Sequence, residues 1–190
     1  MYRGSIGRKS PSFVIGVFMS TEKVLVVDDE LFVRELLEEY FSKLKFTVDV
    51  AESGEAALEM VGGNHYNVAL IDLKMTGLDG LETLKQIRDL DSNVVVVLMT
   101  GYPTVESSID ALRAGAFDYI VKPFRLNELK DIVTAAIKEY DFRREITLLK
   151  EKVRMLEESI RGDSDNPDFK EENGGSQPRR SRLARKKAAT

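Results

Sequence analysis

The chain contains no cysteine and a single histidine among its 190 residues. The first absence removes disulfides, thiolate zinc sites and cysteine nucleophiles. The lone His65 cannot build a histidine-rich metal site and leaves little for a serine–histidine triad. No run of eighteen or more apolar residues is present, so no segment reads as a membrane span, and a cytoplasmic location is expected. The length suits one ordinary domain plus a remainder and leaves no room for a large second catalytic domain. What is present, 43% hydrophobic and 32% charged residues, belongs to the soluble globular class.

Charge is unevenly spread. Residues 1–20 carry three basic groups, Arg3, Arg8 and Lys9, and no acid; residues 170–190 carry seven basic groups against Glu171 and Glu172. With a chain total of −4, the body from 21 to 169 is left at −12. So acidic a body repels a phosphate backbone, and nucleic acid is not its expected partner. The leader, residues 1–20, has an apolar patch of only about six residues, too short for a secretory signal; it is expected to be disordered. The tail, 162–190, is rich in Gly, Pro, Ser and charge and cannot offset the entropy of ordering, so it too is expected to be disordered.

Between these ends, short apolar runs alternate with helical periodicity. Strands are predicted at Lys23–Val27, Phe46–Val50, Val68–Ile71, Val94–Met99 and Tyr119–Val121. VLVV, VALI and VVVVLM are continuously apolar, as strands covered on both faces require. Helices are predicted at Leu31–Lys43, from Ser53 to a stop at Gly62-Gly63, at Leu78–Leu90, at Thr104–Ala114, and from beyond Phe124. Five such units in about 120 residues predict an α/β fold with a doubly wound parallel sheet. Sheets of this kind carry their functional site at the carboxyl ends of the strands.

Those ends hold Asp28-Asp29-Glu30, Asp72, Thr100-Gly101 and Lys122-Pro123. Any one of them has an ordinary reading as a helix N-terminus, a cap or a surface lysine; their convergence on one edge does not. Two unit charges about 4 Å apart repel by roughly 4 kcal/mol at an effective dielectric of 20, so clustered carboxylates need a cation. Oxygen ligands without histidine or cysteine point to Mg²⁺. A metal, a lysine and a hydroxyl around one aspartate are the parts that stabilise a transferring phosphoryl group, with Asp72 as the nucleophile.

The segments VLVVDDE (24–30), ALIDLKMTGLDGLETL (69–84), VVLMTGYPT (96–104) and GAFDYIVKPF (115–124), in this order and spacing, resemble the receiver domains of bacterial two-component response regulators. The likeness covers about 22–140 and is nearest to the receivers of enhancer-binding transcription activators. It implies a five-stranded, flavodoxin-like (βα)5 fold and phosphoryl transfer to Asp72 from a sensor histidine kinase or phosphotransfer protein. It implies Mg²⁺ held by Asp29, Asp72 and the main-chain carbonyl of Lys74, with Asp28 acting through water. It further implies that Lys122 pairs with the phosphate, that Thr100 hydrogen-bonds it after switching, and that Tyr119 is the switch aromatic. Lys74 and Tyr102 sit where the family varies and tunes phosphate lifetime, and Gly101 keeps access open. Thr76 stands where the family usually has proline, which loosens that loop without removing the chemistry. Gly80 is read as allowing a tight loop, Gly115 as a helix cap, and His65 as a surface loop residue.

After Pro123 the pattern stays helical to about Ile160. Phe142, Ile146, Leu149, Val153, Leu156 and Ile160 follow one another in alternating steps of four and three, a heptad seam. The organisation expected is thus a receiver at 21–140, a helical extension at 141–161 capable of a parallel coiled-coil homodimer, and the basic tail. No effector domain is expected after the helix, so output through contacts with a downstream protein is expected, and the chain is expected not to be an enzyme. The alternatives are a truncated transcription activator, or DNA binding through Arg179–Lys187. An aspartate-nucleophile phosphatase wants a second aspartate where Lys74 stands. A flavin-binding protein is disfavoured because Asp28-Asp29-Glu30 would repel the flavin phosphate.

Overall fold

A computed structural model describes residues 22–164; the leader and residues 165–190 of the tail lie outside the described residues, whereas 162–164, expected to be disordered, continue the last helix. Ten elements alternate: β1 Lys23–Val27, α1 Leu31–Lys43, β2 Thr47–Ala51, α2 Gly54–Gly63, β3 Val68–Asp72, α3 Gly80–Leu90, β4 Val95–Thr100, α4 Val105–Ala114, β5 Asp118–Val121 and α5 Leu126–Ser164. All strand pairs are parallel, in the order β2-β1-β3-β4-β5. The chain leaves β1 toward β2 on one side and returns to β3 on the other. The crevice of a doubly wound sheet therefore opens between the carboxyl ends of β1 and β3.

The apolar runs are continuous because each strand is covered twice. Val24, Val26, Leu70, Val97 and Met99 pack with Leu37, Phe41, Leu129, Val133 and Ile137 of α1 and α5. Their neighbours Leu25, Val27, Ala69, Ile71, Val96 and Leu98 point the other way, onto Ala57, Val61, Leu84, Ile87 and Ala111 of α2, α3 and α4. Period-two alternation thus divides one apolar run between two cores.

The starts of α2, α3 and α4 are fixed by side-chain caps. Ser53 Oγ accepts from the Ala56 amide (3.2 Å), and Asp79 Oδ1 from the Glu82 amide (2.8 Å). Thr104 and Ser107 form a reciprocal capping box. These caps correct the predicted starts: Ser53, Leu78 and Thr104 lie outside their helices, and Gly80 opens α3. Gly62 and Gly63 do not stop α2 but form its last turn, with Asn64 as the cap residue. Gly115, at φ 88°, ends α4 in the left-handed conformation. α5 runs four residues beyond Ile160. The chain divides into a unit ending at Arg144 and a second from Glu145.

One buried polar group escaped the sequence reading. Tyr66, beside the exposed His65, is almost wholly buried, and its hydroxyl donates to Asp49 Oδ2 (2.6 Å), which also pairs with Lys23 Nζ (2.7 Å). Burial alone would raise the Asp49 pKa, but the hydrogen bonds from Lys23 and Tyr66 outweigh it and hold the carboxyl below its usual 3.8. A depressed carboxylate contributes stability above the unfolded pKa and loses it as pH falls through the folded value. Tyr66→Phe is therefore expected to cost about 1 kcal/mol at pH 7. Urea melts at stepped pH values should show that cost shrinking below about pH 4.

Candidate phosphoacceptor and metal site

Asp28 follows β1, Asp72 ends β3, Thr100 ends β4 and Lys122 follows β5, so parallel pairing alone carries them to one edge. Asp28 and Thr100 are fully buried and Asp72 nearly so, whereas Asp29 is exposed. Lys122 Nζ reaches Asp28 Oδ2 at 2.6 Å, Asp72 Oδ2 at 3.4 Å and Glu30 Oε1 at 3.7 Å, with its side chain only 15% exposed. Asp28 is further held at both ends. Its Oδ1 accepts from the Glu30 amide (3.0 Å), and its main-chain carbonyl accepts from the buried Arg34 guanidinium (2.6 Å).

Burial raises the Asp72 pKa, and the Asp28 charge raises it further; Lys122 pulls against both without reversing the shift. Burial works to lower the Lys122 pKa, but its hydrogen bond to Asp28 and the charges of Asp28 and Asp72 prevail, so the net shift is upward and the ammonium form is secured. The lysine is thus the permanent cation among the carboxylates.

The lysine does not satisfy every acceptor. Asp72 Oδ1 is buried without a hydrogen-bond partner, and carboxylate oxygens of Asp28, Asp29 and Asp72 lie within 4.8 Å of one another. A buried, orphaned oxygen on one of three clustered carboxylates, all hard oxygen donors, fits a Mg²⁺ ion.

Thr100 Oγ1 accepts from the Tyr102 amide (3.2 Å), and its carbonyl accepts from the Lys122 amide (2.7 Å), so the β4 and β5 ends are tied together. Tyr102 is 78% exposed. Lys74 is exposed, and around Gly101 there is open space. Tyr119 is half-buried, packed against the α2–α4 core, and its hydroxyl bonds to Ser107 Oγ on α4 (2.9 Å), a partner the sequence reading missed. It missed a second support as well: Glu55 Oε1, in the first turn of α2, accepts from the Leu78 amide (3.0 Å) in the loop after β3. The same loop reaches back to the acidic cluster through the Thr76 amide, which donates to Asp29 Oδ2 (3.3 Å).

The profile of the response regulator receiver domain matches residues 24–134. The chain belongs to the response regulator receiver domain family. Regulatory protein AtoC of Escherichia coli K12 is 40% identical over 124 residues, which are 65% of this chain and 27% of that protein. Sporulation initiation phosphotransferase F of Bacillus subtilis is 35% identical over 122 residues, 64% of this chain and 95% of that protein. Among solved structures, response regulator protein TrrA from Thermotoga maritima, in complex with Mg²⁺-BeF, is 36% identical with a TM-score of 0.56 and covers 60% of this chain and 98% of that one. This chain therefore spans about a quarter of the length of the first relative and nearly all of the second. Receiver domains are signalling modules of two-component systems, and the flavodoxin-like sheet and acidic pocket described above are theirs. Among the described residues no helix is long and apolar enough to cross a membrane.

Proposed function

We propose that this receiver accepts a phosphoryl group on Asp72 from the phosphohistidine of a sensor kinase or phosphotransfer protein. The observation that carries the proposal is the Asp72 carboxylate itself: one oxygen is held by Lys122 and the other is buried and unpartnered. In the transfer, an Asp72 oxygen attacks phosphorus, the phosphorus–nitrogen bond breaks, and its electron pair leaves with the imidazole, which is neutral once protonated. The product is an acyl phosphate. Lys122, fixed by Asp28, offers its ammonium to the incoming phosphoryl oxygens, a charge already in place before the reaction. Asp28, Asp29, Asp72 and the Lys74 carbonyl would hold Mg²⁺, which supplies further charge neutralisation when bound.

The switch then runs through Thr100 and Tyr119. A Thr100 hydroxyl drawn to the phosphate leaves its place beside the Tyr102 amide, and Tyr119 exchanges its Ser107 partner for the space vacated. Lys74 and Tyr102 flank the mouth and set how readily water reaches the acyl phosphate, with Gly101 leaving the approach open. Output passes to a downstream protein in the cytoplasm, and the extension of α5 joins two copies of the chain. The chain is the substrate of phosphoryl transfer and its regulator, not a multiple-turnover enzyme.

Intact-mass measurement after incubation with acetyl phosphate and Mg²⁺ tests the assignment. One added phosphate on the parent chain, and none on Asp72→Asn, is the expected result. An unmodified parent, or a phosphorylated Asp72→Asn chain, would overturn it.

A further inference from the structure

The described part of the second unit, 145–164, is helical and carries exposed apolar side chains. Leu149, Val153, Leu156 and Ile160 are each more than half exposed, and Ile146, Leu149 and Val153 line a shallow apolar groove together with Lys150, Arg154 and Glu157. In heptad terms Ile146, Val153 and Ile160 take the a positions, and Leu149 and Leu156 the d positions. β-branched residues at a with leucine at d favour two parallel strands over higher assemblies.

The flanking charges point the same way. Glu145 and Lys152 occupy g positions, Lys150 and Glu157 occupy e positions, and among the described residues none of the four makes an ion pair. On the outer face, by contrast, Arg154 pairs with Glu158 of its own helix (4.0 Å). In a parallel, in-register pair each g residue meets the e residue five positions later on the other helix. Glu145 then faces Lys150, and Lys152 faces Glu157: opposite signs at every contact, twice over by symmetry. An antiparallel pair with the same apolar overlap sets Lys150 against Lys150 and Lys152 against Lys152. The helix flanks thus reject one orientation and complete the other.

We infer that residues 145–160 bind a second copy of this chain as a parallel, in-register two-stranded coiled coil, selected by the pairs Glu145–Lys150 and Lys152–Glu157. This rests on the contact between copies proposed above and adds its partner helix, orientation and register.

The absence of cysteine gives a clean test in the full chain. Leu156→Cys, oxidised with diamide, is expected to form a covalent dimer through identical d positions. An antiparallel pair instead brings position 156 beside 146, so cross-linking only in a mixture of Ile146→Cys and Leu156→Cys chains would overturn the orientation while leaving the dimer standing. Sedimentation equilibrium supplies the second arm. Glu145→Lys should weaken the dimer about tenfold, and Glu145→Lys with Lys150→Glu should restore it. An unaffected single variant, or a double variant no better than the single, would overturn the pairing. A parent chain that stays monomeric at all concentrations would overturn the contact between copies altogether, without touching Asp72 phosphorylation.

Discussion

Lys122→Met is expected to lower the stability of the receiver by about 3 kcal/mol at pH 7 in metal-free buffer, or roughly 10 °C in melting temperature. The reason lies in what the lysine leaves behind. Asp28 is wholly buried, and its carboxylate has Lys122 as its ion-pair partner at 2.6 Å; Asp72, nearly buried, shares that cation at 3.4 Å. Removing one member of a buried pair exposes the remaining charge to the full desolvation penalty, which is larger than the net worth of the pair. Here two carboxylates are stranded together, so their mutual repulsion adds to that penalty.

The pH dependence has a definite sign. The Asp72 pKa already lies above its ordinary value in the folded state because of burial and the Asp28 charge. A carboxyl with a raised folded pKa binds its proton more tightly when folded, so stability rises as pH falls through that value. Loss of Lys122 removes the opposing pull, and the deficit of the variant should shrink on going from pH 7 to pH 5. Added Mg²⁺ should recover part of it, since an ion that binds only the folded state stabilises by mass action. Pairing Lys122→Met with Asp28→Asn should recover much of the rest. Equal deficits at pH 5 and pH 7, with or without Mg²⁺, would mean that the lysine serves packing rather than charge.

That charge logic was partly visible in the sequence. Clustered acids at strand ends demanded a cation, and the runs VLVV, VALI and VVVVLM fixed which residues would stand at those ends. The partner of Asp28 was not deducible in the same way, because Lys122 lies 94 residues away and only the β2-β1-β3-β4-β5 order brings it back. Edges were less legible than the centre. β2 is Thr47–Ala51 rather than Phe46–Val50, since Phe46 instead packs edge-to-face on Phe41 after Lys45 turns the chain at φ 74°. β4 is Val95–Thr100 rather than Val94–Met99, because the Thr100 backbone still pairs with Val121. The supports at Glu55 and Ser107 carry no motif, for each acts on a segment 12 or more residues away.

Gly80→Ala is expected to be as damaging as the loss of Lys122, for a different reason. The sequence suggested that Gly80 serves a tight loop, yet the left-handed residue of that loop is Gly77, at φ 81°. What Gly80 supplies is room: a Cβ there would lie 2.2 Å from the Asp72 carbonyl oxygen and 2.8 Å from the Leu73 Cα. Both are backbone atoms of the β3 end, so no rotamer change relieves the clash, and the start of α3 must move away from the strand that carries Asp72. Overpacking of this kind costs on the order of 3 kcal/mol. It should also weaken Mg²⁺ binding, because the added Cβ presses on the Asp72 main chain, at the strand end whose carboxylate, with the nearby Lys74 carbonyl, is proposed to hold the ion. Gly101→Ala is the matched control, since a Cβ at Gly101 meets nothing within 4 Å. Thermal melts and Mg²⁺ titrations of the two variants should therefore separate them, with Gly101→Ala within about 0.5 kcal/mol of the parent. If Gly80→Ala melted with the parent, α3 would have to sit more loosely on β3 than its 3.1 Å hydrogen bond from the Gly80 amide to the Leu73 carbonyl allows.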